Sequence, residues 1–183
     1  MKMFDPSSAV CQVFTYKEGL LSAFAYDLRI NVTAFIIELG GEEHFINARF
    51  DAQSLRVDCA MVGGLERPDL LSAKDKEEID RSIIREVLET DKYKEIFLIS
   101  SAVTKESSDY LIKGFLTLHG DTRDISFKVR TMGRYHAADV WLLLTDFGIK
   151  PFSALFGAIR VKPDILIRVM IPKQAEFDPF SQE

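Results

Sequence analysis

The chain has 183 residues, 47% of them hydrophobic and 28% charged, with 14 Phe and a formal net charge of −5. That length suits a single domain over 1–183 able to bury its own core, and the composition excludes a chain disordered throughout. The acidic balance argues against nucleic acid as a partner, because such a surface needs a basic face.

The opening residues contain no apolar run of signal-peptide length, so the expected location is cytoplasmic, or periplasmic if a leader has been trimmed. A first strand is expected over Val10–Tyr16. Leu28, Ile30, Val32, Ala34 and Ile36 then alternate with polar Arg29, Asn31 and Thr33, and Ile46, Ala48 and Phe50 alternate with Asn47 and Arg49. This two-residue period marks strands with one buried face. Asp58–Leu71 carries Gly63-Gly64 and Pro68 and reads as a loop, unusually apolar through Met61, Val62, Leu65, Leu70 and Leu71. From Ala73 to Thr90 the period becomes helical, with Ile79, Ile83, Ile84, Val87 and Leu88 on one stripe. Ser72 and Asp75 suit a capping box, and Glu77–Arg81 and Arg85–Glu89 suit charge pairs on the solvated face.

Strands return at Glu95–Thr104 and at Asp109–His119. In the second, Gly114 interrupts an apolar face of Tyr110, Ile112, Leu116 and Leu118, as at a bend or bulge. Ile125, Phe127 and Val129 alternate next, then Ala138–Thr145, then Ile165, Ile167, Val169 and Ile171. The tail from about 172 is expected to be loosely ordered. About eight strands and one amphipathic helix must close into a barrel or split into a sandwich to bury their apolar faces. No run approaches ~18 uninterrupted apolar residues, so no membrane span is expected.

Chemistry is sparse. Cys11 and Cys59 lie in no CxxC or Cys/His cluster and read as reduced, buried thiols. His44, His119 and His136 show no metal-ligand spacing; His119, beside Gly120, reads as a turn histidine bonding a backbone group. No nucleophile elbow, P-loop or dinucleotide fingerprint is present. Neither catalysis, nor a metal, nor a cofactor is expected.

The segment Val87–Arg130 resembles the YceI-like family. Tyr93 and Ile96 stand as in that family's strand-entry motif after the helix. Gly114, Leu116, Thr117, His119, Gly120, Thr122 and Arg123 stand as in its "Gly-x-Leu-Thr-x-His-Gly-x-Thr-Arg" motif. Asp146-Phe147-Gly148-Ile149 matches a later element, and Phe14 with Leu21-Ser22-Ala23 fits an opening strand more loosely. Lys94 stands where the family usually has Pro, and Asp121 where an apolar residue is common. The order of elements agrees from Val10 to Ile171. The resemblance implies a lipocalin-like antiparallel barrel, a fold in which some relatives hold a polyisoprenoid chain in the lumen.

Strand parity then nominates lumen residues for such a ligand: Ile30, Val32, Phe50, Ile112, Leu116, Phe127, Val129, Trp141, Phe147 and Ile167. Trp141 lies on a strand that is apolar on both faces, and its indole N–H would draw it towards the mouth. Three functions compete. A carrier of an isoprenoid-like hydrophobic molecule predicts a hollow lumen. An interaction module, in which Asp58–Leu71 or Phe152–Phe156 meets a protein or membrane surface, predicts a solid barrel and an exposed apolar patch. An enzyme on a small apolar substrate would need a titratable group facing the lumen. A homodimer formed through apolar loops is a further expectation.

Overall fold

A computed structural model describes residues 1–19, 25–40, 45–154 and 157–173. Its main sheet is built from β1 (Lys2–Phe4), β2 (Val10–Thr15), β4 (Asp27–Val32), β5 (Phe35–Leu39), β6 (Ile46–Asp51), β7 (Leu55–Val62), β8 (Leu65–Arg67), β9 (Glu95–Glu106), β10 (Asp109–Leu118), β11 (Asp121–Met132), β12 (Tyr135–Leu143) and β15 (Asp164–Pro172). These twelve strands are hydrogen-bonded in the order β1-β5-β6-β9-β10-β11-β12-β15-β2-β4-β7-β8. A second, three-stranded sheet joins β13 (Ser153–Ala154), β14 (Ile159–Val161) and β3 (Lys17–Glu18).

The main sheet closes on itself because one hairpin belongs to both of its ends. β4 runs into β5 across Thr33-Ala34, and β6 runs into β7 across a short 3-10 turn, Ala52–Ser54. The hairpin ladder survives that corner: the Thr33 N–H donates to the Ser54 carbonyl, and the Asp51 N–H to the Ala34 carbonyl, both at 3.0 Å. On one side of the corner β4 pairs with β2; on the other β6 pairs with β9. Counting β4/β5 and β6/β7 as one bent stave each gives a ring of eight, namely β2, β4/β5, β6/β7, β9, β10, β11, β12 and β15. The expected antiparallel, lipocalin-like barrel is the observed one, with twelve segments in the main sheet because the corner splits two of the eight staves and the short strands β1 and β8 add to its ends.

The same corner reverses a face. Ile30 and Val32 point inward, as alternation requires, but beyond Thr33-Ala34 it is Phe35, Ile37 and Leu39 that are buried, and Ile36 turns outward. A single alternation drawn through Ala34 and Ile36 fails there, since a bend of two residues resets parity. Elsewhere the pattern holds: Ile46 and Ala48 on β6, Ile112, Leu116 and Leu118 on β10, Val129 on β11, and Ile165 and Ile171 on β15 all enter the core.

Two segments differ from expectation. Asp58–Leu71 is largely the β7–β8 hairpin: Gly63 and Gly64, with φ of +59° and +81°, make the tight turn between Val62 and Leu65. Such a turn matches the right-handed strand twist and favours glycine at both central positions. The helix expected over Ala73–Thr90 is α1 (Ala73–Ser82) followed by a π-turn, Ile83–Val87. Ser72 and Asp75 form the capping box, with the Ser72 hydroxyl and N–H drawing the Asp75 carboxyl below its usual range. Glu77 pairs with Arg81 at 3.1 Å. Glu89 instead turns to His119, because the π-turn shifts the residues after it round the axis.

Both cysteines are buried, free thiols. Burial pushes Cys11 up to about 12 and also raises Cys59.

Gly114 sits opposite a bulge in β9, and a Cβ there would stand 2.4 Å from the Ile99 carbonyl oxygen. Because the obstacle is backbone, Gly114→Ala is expected to cost ~1–3 kcal/mol in urea unfolding. Both thiols are expected to resist a disulfide reagent at pH 8 in the native state and to react fully once the chain is unfolded, since burial both shields them from the reagent and disfavours the thiolate.

Candidate functional site

Inside the barrel lie two neighbouring voids. The inner one, about 120 Å³, is walled by β5, β6, β9–β12 and β15; His136 apart, its lining is aliphatic or aromatic, including Phe50, Leu98, Leu116, Phe127, Val140 and Ile167. The second, about 620 Å³, lies where the barrel meets α1. Ile79, Ile83, Val87 and Leu88 form its roof, over Ile30, Leu55 and Ile165 of the barrel. A volume of that size falls within the range of small-molecule sites, ~300–1,000 Å³.

The voids abut. Ile165 and Ile167 are successive inward positions on β15, and each lines a different void; Leu142 and Leu144 divide in the same way. Several inward apolar residues, among them Phe50, Ile125, Phe127, Val140 and Ile167, are only partly buried though they face the core. In a solid barrel these side chains would interdigitate and lose that exposure.

A hydrogen bond ties the helix roof to the barrel, beside the packing of Ile79, Ile83, Val87 and Leu88 on the core. The Asp80 carboxylate accepts the Val57 N–H of β7 at 2.7 Å, which leaves the apolar stripe of α1 facing the void. No residue of α1 is itself fully buried. Polar groups reach the larger void only at its edge, through Thr15, Tyr26, Asp75, Glu78 and Ser82; no Lys or Arg is among its described lining residues.

The ten nominated lumen residues divide. Phe50, Leu116, Phe127, Val129 and Ile167 line the inner void, and Ile30 lines the larger one. Val32 and Ile112 are packed core without void contact, Ile112 having no exposed surface. Trp141 is on the outside, 61% exposed and stacked on Tyr16 with ring centroids 5.6 Å apart. Its neighbours Val140 and Leu142 take the inward positions on a strand whose composition is apolar on both faces. Phe147 is buried beneath the end of the barrel. Sequence reasoning missed the helix roof as a wall of the site. Its apolar stripe was the available signal, but packing against strands and capping a void leave the same pattern.

Of the two described histidines, one sits in a turn and the other on the wall of the inner void. His119, with φ of +53°, turns the chain between β10 and β11. Its Nε2 meets a Glu89 carboxylate oxygen at 3.0 Å, a side-chain partner where a backbone group was expected, and its ring lies 4.1 Å from that of Tyr93. Gly120 must be glycine here: φ is +81°, and a Cβ would stand 2.7 Å from the Tyr93 ring. Two residues on, Thr122 shares a hydrogen bond with Thr117 at 2.8 Å. Arg123 Nε donates to the Asp146 carbonyl at 2.8 Å, gripping the turn that buries Phe147 and Ile149. His136 lies inside, near Thr131 and Tyr110. His44 and Leu21-Ser22-Ala23 lie outside the described residues. Among the described residues no group of three His, Cys, Asp or Glu could hold a metal ion, and no helix is long and apolar enough to cross a membrane.

Residues 12–171 match the YceI-like domain. The chain belongs to the YceI-like family. No curated protein matches it. Among solved structures it is similar to BcnA of Burkholderia cenocepacia, at 11% identity and a TM-score of 0.65, over 93% of this chain and 99% of that one. It is also similar to a YceI protein of Campylobacter jejuni, at 10% identity and a TM-score of 0.55, over 79% and 84% of the two chains. A polyisoprenoid binding domain from Saccharophagus degradans aligns at 11% identity and a TM-score of 0.48, over 93% and 97%. At these identities the likeness is one of fold. In this structure, His119, Gly120, Thr122 and Arg123 of the YceI-like motif tie the β10–β11 turn to the helix exit and to Asp146-Phe147-Gly148-Ile149, and none of these four lines either void.

Arg123→Ala would leave the Asp146 carbonyl without its charged donor and is expected to cost ~1–2 kcal/mol by thermal unfolding. A double-mutant cycle of His119→Ala with Glu89→Ala should show favourable coupling of ~0.5–1 kcal/mol.

Proposed function

We propose that this protein is a non-catalytic carrier that holds an isoprenoid-like hydrophobic molecule, such as a polyprenyl chain or a quinone tail, in the barrel lumen. The observation that carries this reading is the pair of abutting, apolar-walled voids, the larger of about 620 Å³ under α1. Each CH₂ moved from water into such a space contributes ~0.8 kcal/mol, so a chain of some ten carbons would offset the usual ordering cost of association. The aliphatic walls require no charge on the ligand, and the polar residues at the edge of the larger void suit a polar head left near solvent.

A second reading has its own observation. Phe97, Ile99 and Phe115 are exposed side by side on the outer face of β9 and β10, Ile99 and Phe115 being direct cross-strand partners. A surface of that kind suits an interaction module, which needs no ligand. The same patch would serve a homodimer. Phe152, suspected from sequence as a contact residue, lines the larger void, and Leu155 and Phe156 lie outside the described residues.

Protein purified without detergent should release a long-chain apolar molecule in near-stoichiometric amount on solvent extraction, seen by mass spectrometry, or should take up retinol with fluorescence enhancement. Ile30→Trp, which places an indole in the larger void, is expected to weaken retinol binding by about tenfold or more while the fold persists, as read by circular dichroism. Empty protein that also refuses retinol and polyprenols would overturn the carrier reading and favour the outer patch.

A further inference from the structure

Among the described residues, the seam between β11 and β12 is laddered over only part of its length. β11 and β12 pair only from Val129–Ala138 to Met132–Tyr135. Beyond that stretch, Asp121–Lys128 of β11 keep β10 as their hydrogen-bonded neighbour, and Asp139–Leu143 of β12 keep β15. The two edges splay round a cleft of about 720 Å³, with Arg123–Ser126 on one bank and Val140–Leu143 on the other. Ile125, Val140 and Leu142 line both this cleft and the inner void. At this place only a layer of apolar side chains separates lumen from exterior.

We infer that the β11–β12 seam is the passage through which an apolar chain enters and leaves the lumen; this rests on the carrier reading above. At a laddered seam, a chain could pass only by breaking backbone hydrogen bonds and leaving their groups unsatisfied against hydrocarbon. An approach under α1 requires the helix to part from β7, losing the Asp80–Val57 hydrogen bond and the cover of Ile79, Ile83 and Val87. At the seam no ladder stands in the way. Rotamer changes at Ile125, Val140 and Leu142 open it, and such changes are among the fastest motions of a folded protein. The bared strand edges remain wet on the outside, while the passing chain meets the three apolar side chains.

The test ties the seam shut from outside. If the Val129–Ala138 register is continued, Ser126 comes opposite Trp141 and Asp124 opposite Leu143, all four exposed and on the outer face. Ser126→Cys with Trp141→Cys, joined by a bismaleimide spanning the cleft and verified by mass, is compared with each single cysteine capped by N-ethylmaleimide. Retinol uptake and release are followed by stopped-flow fluorescence. The joined protein is expected to exchange retinol slower by about tenfold or more in both directions, with the equilibrium affinity unchanged and the capped single variants at the wild-type rate. A second pair, Asp124→Cys with Leu143→Cys, should behave alike and guards against an effect of losing the Trp141–Tyr16 stack. Joined protein that binds retinol and exchanges it at the wild-type rate would overturn the passage and leave the carrier reading standing. Unjoined protein that takes up no retinol would overturn the carrier reading, and the passage with it.

Discussion

The corner at which three neighbouring segments bend together is the feature on which the rest of the structure depends. β1 leads to β2 through a turn in which the Ser8 and Ala9 N–H groups return to the Asp5 carbonyl; β4 leads to β5 through Thr33-Ala34; β6 leads to β7 through Ala52–Ser54. An antiparallel sheet leaves two edges unless it closes, and closure requires staves that tilt and turn corners. Here the bent β4/β5–β6/β7 hairpin pairs with β2 on one side of the corner and with β9 on the other, so the ring closes. The Thr33 hydroxyl and N–H both reach the Ser54 carbonyl, so the corner keeps its polar groups paired while it turns.

Closure also creates the space. The inner faces of the staves are apolar, yet the side chains of the inner wall do not fill the interior they enclose, and the voids that remain are roofed by α1. The helix is amphipathic in the ordinary sense, with Lys74–Glu78 and Glu77–Arg81 pairs on its solvated face. Its apolar stripe packs against the core cluster and also lines the larger void. Apart from Leu116, which lines the inner void, the family motif works at the same end of the barrel without touching the voids. His119 to Glu89 and Arg123 to Asp146 knit the β10–β11 turn to the helix exit and to the buried Phe147–Ile149 turn. Residues that mark the family therefore maintain the container, and the residues that would meet a ligand are ordinary aliphatic and aromatic side chains.

The outer surface separates the functional readings. Charge is placed there in pairs: Asp139 and Arg168 meet bidentately at 2.7–2.8 Å, and Arg29 lies between Asp58 and Glu66, held strongly protonated by Glu66 first and Asp58 second. The Asp139–Arg168 pair is solvent-exposed and contributes little to stability because solvent screens it, whereas Arg29 is largely buried. The same outer surface carries the Phe97–Ile99–Phe115 patch and the Tyr16–Trp141 stack, with the partly laddered seam beside Trp141. Apolar surface thus stands on both sides of the wall, around the voids inside and in patches on the outer face.

The sequence by itself determined the alternation of Ile125, Phe127 and Val129, of Ile165, Ile167 and Ile171, and of Ile46, Ala48 and Phe50. It also determined the capped helix after Ser72 and the glycine-dependent turns, because period, capping and positive φ are local requirements that each segment meets on its own. It carried the family through the spacing of Gly114, His119, Gly120 and Arg123. Only the tertiary structure decided the rest. The corner at Thr33-Ala34 reverses parity, so that Ile37 points inward and Ile36 outward, and no local rule marks where a closing sheet must bend. Trp141 faces outward because its strand is apolar on both sides, which leaves its direction to the register with β15. Whether Ile79, Ile83 and Val87 pack on a core or roof a void depends on how far apart the staves stand, and that distance is a property of the closed ring.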